Sequence, residues 1–402
     1  MRRSVITSLF CVTLLTGAAA PATGAVPTHQ DGHRRGCHAT APHDDSGREA
    51  LRIAEQAKEE LDLNSVLLRV TEDGRDLVTA AVGESMTGVP ADPAMHFRAG
   101  SVAIAYLGTT LLQLVDEGEV GLDDPVGRWL PELPHAGEIT LRMLASSDSG
   151  LVDYVRDPDF VAALEADPFR QWTAEELVGI STSQPLWYEP GTNWNYSHAN
   201  FVILGAALEK ITGTRLDHLL EERIMGPLGL HQTRNGFTPD IPAPVLHAFT
   251  SERGTYEEST FWNPSWTTAP GAVLTTDICD LATSAVGIGS GRLLSPQSRQ
   301  ELLDPGTVGL GGPTDTCPAT VCQLNTEARH YGMGVVVSND WVVQNPSFFG
   351  YAAVQAYLRS NGLAIAVSTT KGRNTPDGNT AQIITNRIAA ALAPDHPLPP
   401  EV

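Results

Sequence analysis

Several features that are common in enzymes and membrane proteins are absent from this sequence. Past its N-terminus, no apolar stretch reaches the roughly 18 residues that a membrane-spanning helix needs. The sequence also has no phosphate-binding Gly-rich loop, no dinucleotide fingerprint, no Gly-x-Ser-x-Gly elbow and no His-Glu-x-x-His helix. We therefore expect no membrane span, no cofactor and no metal site.

Positive charge is scarce as well. The chain carries 26 Lys and Arg residues against 47 Asp and Glu residues, which gives a formal net charge of -21. A surface of this sign repels nucleic acid and anionic lipid. We expect no nucleic-acid partner, and we interpret the acidic surface as one that keeps the protein in solution.

The N-terminus is typical of an exported protein. Arg2 and Arg3 precede an apolar run from Val5 to Leu15, and small residues follow up to Ala25. This order predicts a signal peptide over 1–25 and a secreted product. Residues 26–46 are polar and without periodicity, which predicts a disordered leader. We expect one domain over 47–395 and a short tail over 396–402.

Four cysteines remain beyond the predicted signal peptide, namely Cys37, Cys279, Cys317 and Cys322. An even number in an exported chain favours disulfides. Cys317 and Cys322 would close a short loop, which leaves Cys37 to bind the N-terminal segment to Cys279. Other pairings remain open at this point.

Periodicity predicts strands near both ends of the chain and helices between them. An antiparallel sheet flanked by helices, with an inserted and mostly helical lobe, follows from this order, so the fold class is α/β of the α+β type. We place the sheet in about 47–100 and 270–395 and the lobe in about 119–269. The predicted helices include 47–61, 101–117, 200–211 and 380–392, and the predicted strands include 64–70, 76–82, 332–338, 341–344, 352–359 and 363–369.

Ser101 begins the predicted helix that ends near Glu117. A serine at a helix N-terminus suits two roles. It is a good N-cap, because its hydroxyl accepts a hydrogen bond from the first turn. It is also well placed as a nucleophile, because the helix dipole and backbone donors stabilise negative charge there. The sequence leaves both roles open.

Six blocks of sequence in a fixed order support the nucleophile role. They are Phe97–Ile104, Gly118–Pro131, Thr140–Tyr154, Pro190–His198, Pro227–Leu230 and Gly271–Ala282. The chain resembles the superfamily of serine β-lactamases, D,D-peptidases and related esterases over nearly its whole mature length. That resemblance implies a Ser-x-x-Lys motif at the start of the nucleophile helix. Here Ile104 stands where the lysine is expected, and its side chain has no nitrogen to accept the Ser101 proton.

Two further elements of the superfamily are altered. The resemblance implies a Tyr-x-Asn motif, for which this chain has Tyr196 and His198. An imidazole at that position would act as a proton acceptor or donor near neutral pH, or it would only form a hydrogen bond inside the lobe. The third element, Lys-Thr-Gly or His-x-Gly, is replaced by Gln344, Asn345 and Pro346.

Polar and aromatic residues elsewhere add candidates for ligand binding. Gln344 and Asn345 are predicted to contact a polar ligand, and the resemblance suggests that Lys371 supplies lost positive charge, the alternative being a solvated loop lysine. The passage 245–266 contains five aromatic residues and a histidine. It predicts either an apolar pocket beside the cleft or packing of Trp262 and Trp266 in the core.

Two hypotheses on function follow. The first is a secreted serine hydrolase, of peptidase or esterase type, that acts on an amide or ester through Ser101 with Tyr196 and His198 moving protons. The second is a degenerate relative that binds a peptide, a cell-wall fragment or another small acyl ligand without catalysis. Loss of a general base typically costs about 10² to 10⁴ in rate, so β-lactamase turnover of the usual kind is not expected. The sequence indicates neither the substrate nor the oligomeric state.

Overall fold

Helices and strands follow one another in the order that the sequence predicts. The computed structural model describes residues 36–399. The N-terminal elements are α1 (Asp45–Glu60), β1 (Leu63–Glu72), β2 (Arg75–Met86), β3 (Val89–Pro90), β4 (Phe97–Arg98) and α2 (Val102–Asp116). The middle contains α3 (Leu141–Ser146), α4 (Pro158–Ala166), α5 (Ala174–Thr182), α6 (His198–Thr212), α7 (Leu216–Leu220), α8 (Gly226–Leu228), β5 (Arg234–Gly236), β6 (Phe249–Thr250) and β7 (Glu257–Glu258). The C-terminal elements are β8 (Val273–Thr276), α9 (Ile278–Gly289), α10 (Pro296–Leu303), β9 (Arg329–Tyr331), β10 (Val336–Ser338), β11 (Trp341–Gln344), β12 (Ser347–Phe348), β13 (Tyr351–Leu358), β14 (Leu363–Lys371) and α11 (Thr380–Leu392).

The strands from both ends of the chain form one antiparallel sheet. Its order is β3-β2-β1-β14-β13-β11-β10-β9, with β12 paired to β13. The first long strand therefore lies beside the last, and Val66 of β1 is opposite Thr369 of β14. A smaller sheet of order β4-β8-β5 lies under the start of α2. The predicted α+β fold class is confirmed.

The large sheet has a hydrophobic layer on each face. In β1, alternate side chains point to opposite sides, as the pleat of a strand requires. Val66 and Leu68 belong to the layer formed with α1 and α11, and Leu67 belongs to the layer that contains α2 and α6. A strand buried on both sides has few polar positions at its centre, which explains the apolar runs Val66–Leu68 of β1 and Leu363–Val367 of β14.

Helix α2 lies at the centre of the larger layer. Twelve of its residues are buried, including Ile104, which is fully inaccessible. The helix packs closely on the turn after β9, because a Cβ at Gly108 would lie 2.3 Å from the Met333 carbonyl oxygen. The position that a catalytic lysine would take is thus an apolar core position in this chain.

The structure corrects two predictions from the sequence. The predicted strand 332–338 is divided, because Gly332–Gly334 form a turn between β9 and β10 in which Gly334 has a φ of +75°. The predicted disordered leader 26–46 is ordered where it is described. Cys37 is buried, Thr40 forms a β-bridge with Thr79, and α1 begins at Asp45 with Asp44 as its N-cap. The predicted signal peptide lies outside the described residues.

Both predicted disulfides are confirmed. Cys37 is joined to Cys279 across 242 positions, and Cys317 to Cys322 across 5 positions. The first bond fastens the segment before α1 to the first turn of α9. Among residues 36–399, none of the helices has the length and apolar character needed to cross a membrane.

The two disulfides are expected to differ in their effect on stability. In the chain-entropy account, a bond that closes a longer loop restricts the unfolded chain more. Replacing Cys37 and Cys279 by alanine should lower the free energy of unfolding by about 3–5 kcal/mol, and replacing Cys317 and Cys322 by about 2 kcal/mol. Urea unfolding of the two double variants measures both values. An equal loss in the two variants would contradict the loop-length explanation.

Candidate active site

Ser101 lies where a short buried strand turns into α2. Arg98 of β4 anchors the strand, because its guanidinium donates to the carbonyl oxygens of Thr260 and Pro239 at 2.9 and 2.6 Å. Gly100 then adopts a φ of +38°, which suits glycine, and the chain enters the helix. Ser101 occupies the N-cap position, but its side chain makes no capping hydrogen bond. The serine is at the helix start without serving as its side-chain cap.

The Ser101 hydroxyl lies beside the Tyr196 phenol instead. Burial raises the pKa of the Tyr196 phenol, and its interaction with the Ser101 side chain opposes that effect by lowering it. The phenol is therefore neutral at physiological pH. Its ring packs against Phe201 and Tyr331, with centroids 5.8 and 5.9 Å away. Ser101 and Tyr196 are thus brought together as the sequence predicts.

His198 is held by a carboxylate that sequence reasoning did not select. Its Nδ1 is 3.1 Å from both carboxylate oxygens of Asp153, and its backbone N–H donates to the same side chain at 3.2 Å. Asp153 is almost fully buried. Among residues 36–399, its one ion-pair partner is His198, in the protonated form of that histidine. With the Nδ1 proton donated to Asp153, Nε2 is the nitrogen left to accept a proton.

Tyr196 links the serine to the His198–Asp153 pair. The imidazole of His198 meets the Tyr196 ring edge-to-face, with centroids 5.0 Å apart and planes at 88°. The negative charge of Asp153 also raises the pKa of Tyr196. The described residues show no direct hydrogen bond between Ser101 and His198, so the order of contact is Ser101, Tyr196, His198, Asp153.

A buried hydrogen-bond network positions the segment that carries Tyr196 and His198. Ser147, in the left-handed conformation with φ of 63°, follows α3. Its Oγ donates to the Asn195 carbonyl at 3.0 Å and accepts from the Ser197 N–H at 3.1 Å and from the Asn200 side chain at 2.9 Å. Ser149 donates to the Asn200 side-chain oxygen. This network fixes the backbone on both sides of Tyr196.

The three residues predicted to bind ligand have hydrogen-bond partners within the protein. Gln344 is buried, and its amide donates to the Gly334 carbonyl oxygen. Asn345 donates to Gln382 of α11 at 3.1 Å. Lys371 lies at the end of β14, where its carbonyl oxygen accepts from Asn64 at 2.8 Å. Lys371 is the one charged residue of the three. Its charge lowers the pKa of Glu252, which borders the aromatic cavity described below.

An aromatic side chain covers the turn before Ser101. A Cβ at Gly100 would lie 2.5 Å from Cε1 of Phe348 and 3.3 Å from Cβ of Pro346. The segment that replaces the third element therefore places an apolar wall against the nucleophile turn, where the superfamily pattern has a cation and a glycine. Phe348 was not selected from the sequence as a site residue.

A cavity of about 290 Å³ is bordered by Phe348. Aromatic, aliphatic and charged side chains line it, and Trp266 is shared with the site, because its ring centroid is 6.0 Å from that of His198 and 6.1 Å from that of Phe348. Trp262 is buried and lines the same cavity. The two alternatives for the passage 245–266 are thus both realised, since these tryptophans pack in the interior and also enclose a pocket.

Within the described residues, one group of three side chains has the composition of a metal site. It consists of Cys37, Asp277 and Cys279, all within 4.8 Å of one another. The two sulfurs are joined in a disulfide, so within this group only the Asp277 carboxylate could bind a metal ion. This group does not fit a metal ion.

The chain is similar to known proteins over most of its length. The family model described as Beta-lactamase matches residues 51–389. Esterase EstB of Burkholderia gladioli is 30% identical over 191 residues, which is 44% of this chain and 48% of that protein. Penicillin-binding protein 4* of Bacillus subtilis (strain 168) is 29% identical over 140 residues, 34% of this chain and 30% of that protein. The matches thus span about half or less of the length of these curated relatives.

Solved structures match over more of the chain. A D-stereospecific amidohydrolase from Streptomyces sp. superposes with a TM-score of 0.72 and 26% identity, covering 87% of this chain and 99% of that one. The D-amino acid amidase from Ochrobactrum anthropi SV3, complexed with L-phenylalanine amide, gives a TM-score of 0.73 at 21% identity, with 87% and 99% covered. The second match shows the fold alone.

Gly100 should be intolerant of any side chain. Gly100→Ala combines a positive φ with a clash against Phe348, and we expect it to lower the free energy of unfolding by about 2–4 kcal/mol. Gly118→Ala is a matched control, because Gly118 also has a positive φ, of +75°, but faces open space. It should cost about 1 kcal/mol. If Phe348 is the cause of the difference, Gly100→Ala with Phe348→Ala will recover part of it in thermal unfolding.

The buried carboxylate of Asp148, next to the Ser147 network, should make stability pH-dependent. Burial raises the pKa of Asp148 to about 6. The hydrogen bond from Ser146 lowers the pKa, but its effect is smaller than that of burial. The folded state then binds more protons than the unfolded state between about pH 4 and 6, so the free energy of unfolding falls as pH rises through that window. We expect Asp148→Asn to be more stable than the wild type by roughly 2–3 kcal/mol at pH 7.5, from about 1.4 kcal/mol per pKa unit, and close to it at pH 4. Equal denaturation midpoints at pH 7.5 would contradict this.

Proposed function

The chain belongs to the Beta-lactamase family, and from that premise we propose that it is a serine hydrolase that cleaves an amide or ester through Ser101. In this proposal His198 and Asp153 replace the lysine that Ile104 has displaced. The observation that carries it is the continuous contact from Ser101 through Tyr196 to the His198–Asp153 pair. The esterase relative and the amidohydrolase neighbour support an ester or an amide as substrate.

The proposed proton route follows the contacts. As the Ser101 Oγ attacks the acyl carbon, its proton passes to the Tyr196 oxygen, and the Tyr196 proton passes to His198 Nε2 directly or through a water. Asp153 accepts a hydrogen bond from Nδ1 and stabilises the imidazolium that forms. Backbone donors at the N-terminus of α2 stabilise the oxyanion. The imidazolium then returns a proton to the leaving amine or alcohol, and water hydrolyses the acyl-enzyme by the reverse route.

The size and position of the aromatic cavity support a small substrate. The cavity borders both Phe348, which contacts the Ser101 turn, and Trp266, which contacts His198. Apolar lining with a few polar groups is typical of small-molecule sites. We also propose that the protein acts outside the cell. The predicted signal peptide and the two disulfides support export, since such bonds persist in oxidising compartments.

A second candidate function is binding without turnover. Two observations favour it, namely the complete burial of Ile104 and the contact of Phe348 with Gly100, which narrows access to the nucleophile. In that case the site would hold a peptide, a cell-wall fragment or an acyl compound. The two candidates differ in one measurable property, the reactivity of the Ser101 hydroxyl.

Covalent labelling of Ser101 tests the proposal. The purified protein is incubated with a fluorophosphonate, and the adduct is followed by intact mass. We expect a stoichiometric adduct that is absent in Ser101→Ala, and Asp153→Asn or His198→Ala should slow its formation by about 10² to 10⁴-fold. His218→Ala, which removes an exposed histidine of α7, should label at the wild-type rate. Absence of an adduct at neutral and alkaline pH would favour the binding function instead.

A further inference from the structure

The aromatic cavity beside the site has a charge pattern of its own. Five aromatic rings line it beside three aliphatic side chains, and the rings come from Phe160, Trp262, Trp266, Phe348 and Phe349. Phe160 packs at 6.4 Å from Trp266, and Phe349 at 5.1 Å from Trp262. The faces of such rings carry negative electrostatic potential, so a cavity enclosed by them favours a cation over an anion.

Two carboxylates stand among these rings. Glu165, near the end of α4, and Glu252, after β6, both line the cavity. Burial at the cavity raises the pKa of Glu252, the charge of Lys371 lowers it, and the charge of Glu165 raises it, so the two carboxylates are close enough to interact. Glu165 and Glu252 are both exposed as whole residues, and the side chains of both border the cavity.

The cations nearby already have partners. Arg253 lines the cavity, but its guanidinium lies over the Trp262 ring at 5.7 Å and pairs with Glu257 at 3.7 Å. Lys371 acts on Glu252. Among residues 36–399, Glu165 has no ion-pair partner. The negative charge of Glu165 is therefore not balanced by an ion pair.

From these contacts we propose that the cavity binds an aromatic group that carries an ammonium, and that the substrates of Ser101 are esters or amides of this class. The ring of the ligand would stack among Phe160, Trp262 and Trp266, and its ammonium would lie between Glu165 and Glu252. The volume of about 290 Å³ accommodates one such ring with a short alkylammonium arm and is at the lower end for ligand pockets. The assignment of the cavity to substrate rests on the proposed function, whereas the binding preference does not.

Binding of a compound that cannot be hydrolysed tests the preference. Isothermal titration calorimetry is run with 2-phenylethylammonium, the neutral 2-phenylethanol and the anionic 3-phenylpropionate, on the full-length protein and on Ser101→Ala. We expect the ammonium to bind at least tenfold more tightly than the alcohol, and the anion to bind most weakly. Equal or tighter binding of the alcohol or the anion would overturn the proposal.

Two carboxamide variants locate the effect. Glu165→Gln and Glu252→Gln should each weaken 2-phenylethylammonium binding about tenfold and leave 2-phenylethanol binding unchanged. Asp159→Asn is the matched control, because Asp159 lies on the same helix α4 and does not line the cavity. Glu165→Gln that binds the ammonium like the wild type would also overturn the proposal, provided that its thermal unfolding matches that of Asp159→Asn.

The outcomes separate this inference from the function on which it draws. If the protein binds the ammonium but Ser101 is not labelled by the fluorophosphonate, the hydrolase proposal is wrong and the cation site is supported. If Ser101 is labelled but the protein does not prefer the ammonium, the cation site is wrong and the hydrolase proposal is supported.

Discussion

The hydroxyl of Ser147 is the point on which the arrangement of the site depends. It contacts the segment 195–200 through the Asn195 carbonyl, the Ser197 N–H and the Asn200 amide. Because these groups are buried, loss of one partner would leave the others without a hydrogen bond in a medium where that is costly. The segment thus has one backbone conformation, and in that conformation Tyr196 faces Ser101 while His198 faces Asp153.

This constraint explains how the candidate site is aligned although Ile104 stands where the superfamily pattern has a lysine. Ser101 is positioned by β4 and α2, whereas Tyr196 and His198 are positioned from the helical lobe. Ile104 is a buried core residue of α2 and so helps to hold the helix that carries Ser101. Its side chain supplies no nitrogen, and the segment 195–200 is aligned by Ser147 instead.

The regular elements were largely accessible from the sequence. Strand β11 and helix α11 have the predicted bounds, because each is a run of apolar residues at one period, bounded by turn residues. The division of 332–338 was not predicted, since a glycine turn inside an apolar run differs little from a strand in its pattern. The ordered residues 36–46 were missed for a related reason. These residues are ordered because Cys37 is bonded to Cys279 and Thr40 pairs with Thr79 of β2. Both partners are distant in sequence.

The site itself was accessible only in part. Ser101, Tyr196 and His198 could be selected because they lie in blocks with recognisable local patterns. Asp153 is 45 positions from His198, and no local spacing connects the two. Phe348 and Gly100 are brought together by the folding of the sheet against α2, so their contact is a property of the tertiary structure. The inward orientation of Gln344 depends on a backbone carbonyl, at Gly334, which has no signature in a sequence.

The position of β14 beside β1 has a consequence for synthesis. Ser65 and Thr370, which share a buried hydrogen bond in this pair, are 305 positions apart. While the chain is being made, β1 can pair with β2 at once, but its other edge remains open until almost the whole protein has emerged. An open edge of apolar strand is a surface on which other chains aggregate. The nascent protein is thus exposed to misassembly for most of its translation, and its yield in a cell depends on whatever shields that edge until the last strand arrives.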